Sequence, residues 1–310
     1  MTQVVATLRE CWQKNWPEVH AAITGGLPEF IFARHPRELG STVPVFCYHT
    51  ADAQRFERDL DFLSRNGYVT IDADTLLDHL EERHHAPERA VVLTVDDGAR
   101  NLYEVMFPLL KHHGMGAVAF VSPRFHLEVA ADLSHYKMNG LSRPLDWSQI
   151  MEMHESGVID FQSHTYEHRF VPRWPEAAPL VGSDPELVSS LRGPVLTVEE
   201  DFQLARETLE QKLNKTVRHL AFTKYIGTKE AICIGRELGY RGFYWGTLPH
   251  NSYNRPGQSP GHIGRLDYLF VRRLPGEGRE PLSEILPARF SGTAARLRRL
   301  LRRPGRGWTS

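Results

Sequence analysis

Residues Val91-Val92-Leu93-Thr94-Val95 run directly into Asp96-Asp97-Gly98, and few folds accommodate that join. An apolar run without polar alternation reads as a strand covered on both faces, as in a parallel sheet flanked by helices. Ending such a strand on two adjacent carboxylates is costly unless something compensates them. A bound cation would do so, and so would a role in proton transfer. The competing reading is a plain strand-end turn, because Asp-Gly is a common turn pair.

The surrounding chain repeats the rhythm. Val43-Pro44-Val45-Phe46-Cys47-Tyr48-His49 reads as a strand. Phe56, Leu60 and Leu63 lie at helical spacing before Gly67, which suits a C-terminal cap. Tyr68–Ile71, Ala117–Val121, Val158–Phe161, His219–Phe222 and Gly242–Trp245 read as further strands. Leu76 to Leu80, Leu102 to Leu110, Trp147 to Ser156, Phe202 to Leu213 and Thr228 to Leu238 read as the helices between them. Pro108 predicts a kink in its helix, and Asp146 with Gln149 predicts a capping box. Alternation of this kind predicts βα units and a mostly parallel sheet of about seven strands, able to close into a barrel. Parallel α/β barrels carry their chemistry on loops after the C-terminal ends of the strands, and Asp96-Asp97 sits at such an end. Residues 123–145 and 169–196 break the rhythm and are expected to lie over that face.

Composition excludes several classes. Hydrophobic residues make up 41% and charged residues 24% of the 310, which is ordinary for a folded domain. The 37 basic and 38 acidic side chains give a net charge of −1, so the chain as a whole makes no case for nucleic-acid binding. Cys11, Cys47 and Cys233 are scattered and form no CxxC pair, which predicts no disulfide framework and a reducing compartment. No stretch has the basic start and apolar core of a secretory signal, or the length of a membrane span. The expected setting is therefore cytoplasmic.

A second motif follows a second strand: Asp160-Phe161-Gln162-Ser163-His164-Thr165-Tyr166-Glu167-His168. Two histidines four apart can face one centre if the chain turns helically after the strand. With one carboxylate they make a facial ligand set that leaves positions open for water and substrate. A zinc protease would need Glu directly after the first His; Thr165 stands there.

With both motifs in hand, the chain resembles the polysaccharide deacetylase family (carbohydrate esterase family 4). The resemblance rests on Thr94-Val95-Asp96-Asp97-Gly98, on Ser163-His164-Thr165-Tyr166-Glu167-His168 and on the strand ending Tyr48-His49, and it spans about residues 43–247. It implies a distorted (β/α)7 barrel, here with N- and C-terminal helical extensions. It also implies metal-dependent hydrolysis of an N-acetyl group on the amino sugar of a glycan, glycolipid or sugar precursor. By position, Asp97, His164 and His168 would hold a divalent metal, zinc by preference, and Asp96 would be the general base. The family's third motif corresponds to Ala221-Phe222-Thr223-Lys224-Tyr225-Ile226-Gly227. The family's arginine and proline are missing there. The resemblance gives the Tyr225 backbone N–H to the oxyanion and leaves Lys224 to take over some of the arginine's electrostatic work. For the general acid it offers His250, in Leu248-Pro249-His250, with His262 and His49 as rivals. The same site would equally serve a deformylase, an O-acetyl esterase or a cyclic-amide hydrolase, and a weakened third motif also fits a catalytically dead glycan-binding member.

The chain divides into an N-terminal extension (1–40), a catalytic domain (41–280) and a tail (281–310). In the extension, Val5, Leu8, Trp12 and Trp16 have helical spacing, and Phe30-Ile31-Phe32 is expected to pack on the main domain. In the tail, Arg289, Arg296, Arg298, Arg299, Arg302, Arg303 and Arg306 crowd an end without acids after Glu284. Phe290, Ala294, Leu297, Leu300 and Leu301 fall on one helical face. A basic amphipathic helix reads as a membrane-surface element, which would bring a lipid-linked or nucleotide-linked sugar within reach.

Overall fold

The computed structural model describes residues 16, 20–21, 23–126, 144–173, 196–248, 253–285 and 287. In chain order its elements are β1 (Val45–Tyr48), α1 (Ala53–Arg65), β2 (Val69–Thr70), α2 (Ala73–Leu80), β3 (Ala90–Asp96), α3 (Phe107–His112), β4 (Ala117–Val121), α4 (Trp147–Glu155), β5 (Ile159–Ser163), α5 (Val198–Leu213), β6 (His219–Ala221), α6 (Lys229–Glu237), β7 (Gly242–Tyr244) and β8 (Leu266–Asp267). The expected alternation is present. Asp146 and Gln149 form the capping box that starts α4. Ahead of α3 the chain makes a π-helical turn over Leu102–Met106. Pro108 cannot donate to the carbonyl four residues back and crowds it, so the kink expected there takes the form of a widened turn.

Every strand pairing is parallel. The order is β7-β6-β5-β4-β3-β1-β8, with β2 beside the start of β3. The segment around β8 closes the ring. Ile263 bridges Tyr244 of β7, with Trp245 N–H donating to its carbonyl and its own N–H donating to Phe243, both at 2.9 Å. A few residues on, Leu266 pairs with Phe46 of β1. This is the distorted (β/α)7 barrel, with the short 263–267 segment as its seventh stave.

Both faces of the strands are covered. Val45, Val92, Val118, Phe120, Ala221, Tyr244 and Ile263 fill the interior, with Leu76 and Leu80 of α2 packed against them. The alternate residues Leu93, Val95, Ala119, Phe161, Leu220 and Phe243 pack outward in the larger core. That two-sided burial is why β3 reads as one unbroken apolar run.

At the N-terminus, Phe30 and Ile31 are buried while Phe32 is 49% exposed. Arg273 donates to the Ile31 and Ala33 carbonyls and Arg279 to those of Phe30, Ala33 and Arg34, so this short turn is docked on the domain. The residues expected to form the N-terminal helix before Trp16, most of the two expected insertions and nearly all of the basic tail lie outside the described residues.

Leu93 is fully buried in the outer core. Leu93→Ala should cost about 2–5 kcal/mol in denaturant unfolding. Met151→Ala, at a position 40% exposed on α4, should stay within about 0.5 kcal/mol of the parent.

Candidate active site

Because the strands are parallel, the loops after β1, β3, β5 and β6 emerge at one end of the barrel, and these carry His49, Asp97, His164 and Tyr225. The two aspartates are both buried. Asp96 is the last residue of β3 and still pairs with Phe120. Asp97 lies just past the end with φ +72. On a regular strand adjacent side chains face opposite ways, and this left-handed step is what lets the pair share one region. Gly98 continues it at φ +64, and a Cβ there would sit 2.7 Å from the His126 ring and 2.9 Å from Val121; only glycine meets both constraints.

The second motif turns differently from the helical expectation. His164 is held first: its N–H donates to Val121 O at 2.9 Å and its carbonyl accepts from Ser122 Oγ at 2.8 Å. Thr165 and His168 then take φ values of +66 and +52. A helix would have carried His168 along with one hand of twist; two left-handed residues fold the loop back, so both rings reach Asp97. His164 Nε2 lies 3.4 Å and His168 Nε2 3.0 Å from Asp97 Oδ1. All three side chains are buried, and their ligand atoms lie within 4.8 Å of one another.

Asp96 has a partner that sequence reading missed. Arg265, just before β8, grips it with both arms: Nη1 to Oδ1 at 2.6 Å and Nη2 to Oδ2 at 2.9 Å. Its Nε donates to Trp245 O, and its guanidinium lies over the rings of Phe120 and Tyr225, 5.6 Å from each centroid. An arginine thus reaches the site from the segment that closes the barrel, not from the Tyr225 motif. Its only local signal is a charge that, with Asp267, interrupts the otherwise largely apolar stretch Ile263 to Val271.

Tyr225, at φ +69, donates its backbone N–H to the Phe222 carbonyl at 3.0 Å. The group it brings toward the site is its hydroxyl, 3.2 Å from His49 Nε2. Of the candidate acids among the described residues, His49 is the one that acts electrostatically on both Asp96 and Asp97. His262 stacks on Trp245 at 5.4 Å and has Arg236 and Lys229 as its charged neighbours. His250 lies outside the described residues. Lys224 is exposed and rests over the Phe170 ring.

Electrostatics separate the groups. Burial pushes the Asp97 carboxyl up, but His168 and the hydrogen bonds of both histidines outweigh it and hold it well below the usual carboxylate range. Burial likewise raises Asp96, and Arg265 reverses the shift. Burial lowers His164, while Asp96 and Asp97 pull it back above its ordinary value. His168 ends below its own, because burial wins there.

A cation fits this arrangement. His164 Nδ1 lies 2.8 Å from Ala221 O, which can only accept, so Nδ1 carries the proton and Nε2 turns a lone pair toward the Asp97 carboxylate. Acceptor faces acceptor unless a proton or a metal ion stands between them. Carboxylate plus two imidazoles is a donor set suited to zinc.

Removing Arg265 should expose its role. The depressed Asp96 carboxyl adds stability above its unfolded-state value, and that stability is lost as pH falls through the folded-state value. In Arg265→Met the raising effect of burial on Asp96 is opposed only by His164 and His49, so its carboxyl should rise. The variant should lose about 3–5 kcal/mol near neutral pH, regain part of it on acidification, and show any acid limb of activity at higher pH. Thermal melts at several pH values measure this. Arg265→Lys should not restore the parent, because one ammonium cannot make the two-armed contact.

Comparison with known proteins agrees with this geometry. A family model described as polysaccharide deacetylase matches residues 83–243, just over half of the chain. YxkH of Bacillus subtilis is 27% identical over 139 residues, 42% of this chain and 45% of that protein. The poly-β-1,6-N-acetyl-D-glucosamine N-deacetylase of Staphylococcus epidermidis is 31% identical over 87 residues, 28% of this chain and 27% of that one. The matches thus span less than half the length of these two relatives. The structure of IcaB from Ammonifex degensii superposes with a TM-score of 0.56 at 26% identity, covering 73% of this chain and 91% of that one. The motif pair, the closed barrel and the family match together place the chain in the polysaccharide deacetylase family.

Proposed function

We propose that this protein is a metal-dependent hydrolase that removes the N-acetyl group from an amino sugar of a glycan. The observation that carries the proposal is the convergence of Asp97, His164 and His168 beside a second carboxylate, Asp96, held by Arg265. A metal site alone would need only the first three. The named activity of the Staphylococcus epidermidis relative supports an N-acetylglucosamine polymer as the substrate class.

Asp97, His164 and His168 would hold a divalent cation, with zinc the best match to one oxygen and two nitrogen donors. When bound, the ion supplies Lewis acidity, polarising the acyl carbonyl and acidifying water. Asp96 accepts the proton of the attacking water. Its depressed carboxyl keeps it ionised at neutral pH and so free to accept that proton, but makes it a weak base that depends on the water being acidified. An amide nitrogen leaves only if it is protonated as the bond breaks. His49, on the loop after β1 and paired with the Tyr225 hydroxyl, is the donor this reading assigns, in place of His250 or His262. The hydroxyl would orient the ring and steady the charge as the proton departs.

The proposed place of action is the cytoplasmic face of a membrane, where the basic tail would meet anionic lipid. Deleting residues from 286 onward should then abolish co-sedimentation with anionic liposomes; undiminished sedimentation would refute that placement.

The catalytic assignment is checked with acetate release from N-acetylglucosamine oligomers alongside zinc titration. Asp97→Ala should lose both stoichiometric zinc and acetate release. Asp96→Asn should keep zinc and lose about 10²–10⁴ in rate. An Asp97→Ala protein that retained both properties would sink the assignment.

A further inference from the structure

The two histidines are oriented by different means. The His164 ring is fixed through its Nδ1, which donates to Ala221 O at 2.8 Å. The His168 ring is equally buried, yet its Nδ1 has no partner among the described residues. Metal-binding histidines ordinarily have that second nitrogen anchored. Something other than a hydrogen bond to the ring must hold His168 in line with Asp97.

The backbone around it provides the means. Between the two left-handed residues, Thr165 and His168, lie Tyr166 and Glu167. Their consecutive N–H groups both donate to one carboxylate, Asp201 of α5: Tyr166 to Oδ1 and Glu167 to Oδ2, each at 2.8 Å. Asp201 is fully buried. It sits in the first turn of α5, whose start is fixed by the Thr197–Glu200 capping box. A buried acid whose carboxylate, among the described residues, accepts from two backbone N–H groups of one loop is a clamp on that loop. Burial pushes its carboxyl up to about 7 against the pull of the same two N–H donors, so the clamp is held at a cost.

The geometry points to Asp201 as a positioning residue that holds the Tyr166–Glu167 turn, thereby aims His168 at Asp97, and so sets the metal affinity of the site. This inference rests on the reading of Asp97, His164 and His168 as the metal ligands. Asparagine at 201 offers one acceptor where two are needed and turns its NH₂ toward a donor. The turn would relax, and His168, with no anchor of its own, would relax with it.

The test is zinc affinity, measured by chelator competition on the full chain, with melting temperature recorded in parallel. Asp201→Asn should weaken zinc binding by about 10–100-fold, the range for residues that orient ligands. Asp59→Asn changes another buried carboxylate, one held by Arg272 and Tyr48. It should lower the melting temperature while leaving zinc affinity at the parental value. If Asp201→Asn does not fold, Asp201→Glu, which keeps the charge but displaces it by a methylene, should still bind zinc less tightly than the parent. Parental zinc affinity in whichever Asp201 variant folds would overturn the inference while leaving the ligand assignment intact. A parent protein without stoichiometric zinc would overturn both.

Discussion

Two adjacent carboxylates buried at the end of an apolar strand are the constraint around which this molecule is arranged. Neither could stay ionised there alone. The chain solves the two halves separately. Asp96 is matched by the guanidinium of Arg265, brought in by the segment that closes the barrel. Asp97 is matched by the edges of two imidazoles brought in by the loop after β5. Compensation of the first carboxylate depends on the closed barrel, because Arg265 lies in the closing segment and is seated by its N–H on Gly246 O and its Nε on Trp245 O, just after β7.

Around the site, the irregular backbone lies where the staves end. Asp97, Thr165, His168, Lys224 and Tyr225 all have left-handed φ values, which ordinary residues adopt only at a cost that the surroundings must cover. Here the surroundings are regular parallel strands buried on both faces, with enough packing to hold a few strained turns. Each turn redirects a side chain that the strand pleat would have aimed elsewhere. The sites that lower stability are also the ones that make the cluster converge.

Much of this was legible in the sequence. The unbroken run of β3 announced two-sided burial, the alternation of elements announced parallel βα units, and Asp97, His164 and His168 announced themselves by following strands. What escaped reading has a common physical character. The Arg265–Asp96 pair joins residues 169 apart in sequence, and the His49–Tyr225 contact joins residues 176 apart. Partners at that separation are set by which staves become neighbours on closure, and no local pattern encodes it. The shape of the His164–His168 loop was missed for the complementary reason. Spacing of four suggests a helical turn, but the loop takes its shape from Asp201, more than thirty residues downstream. The same ignorance of tertiary partners left the search for a general acid among three histidines; of the two that lie among the described residues, His49 is the one beside both aspartates.

The different partners of the two aspartates also bear on how the proposed reaction could run. A base is most effective when its proton affinity is close to that of the medium, and Arg265 moves Asp96 away from that point. The loss in basicity is tolerable only if the water it deprotonates is itself acidified, which is the service a cation on Asp97, His164 and His168 would supply. In turn, a carboxylate held this low passes its proton on readily, so it would not be trapped in the protonated state between turnovers. The arginine, which weakens the base, and the metal set, which strengthens the acidity of the water, therefore make chemical sense only together, and the strand that ends in Asp96-Asp97 is where the fold binds the one requirement to the other.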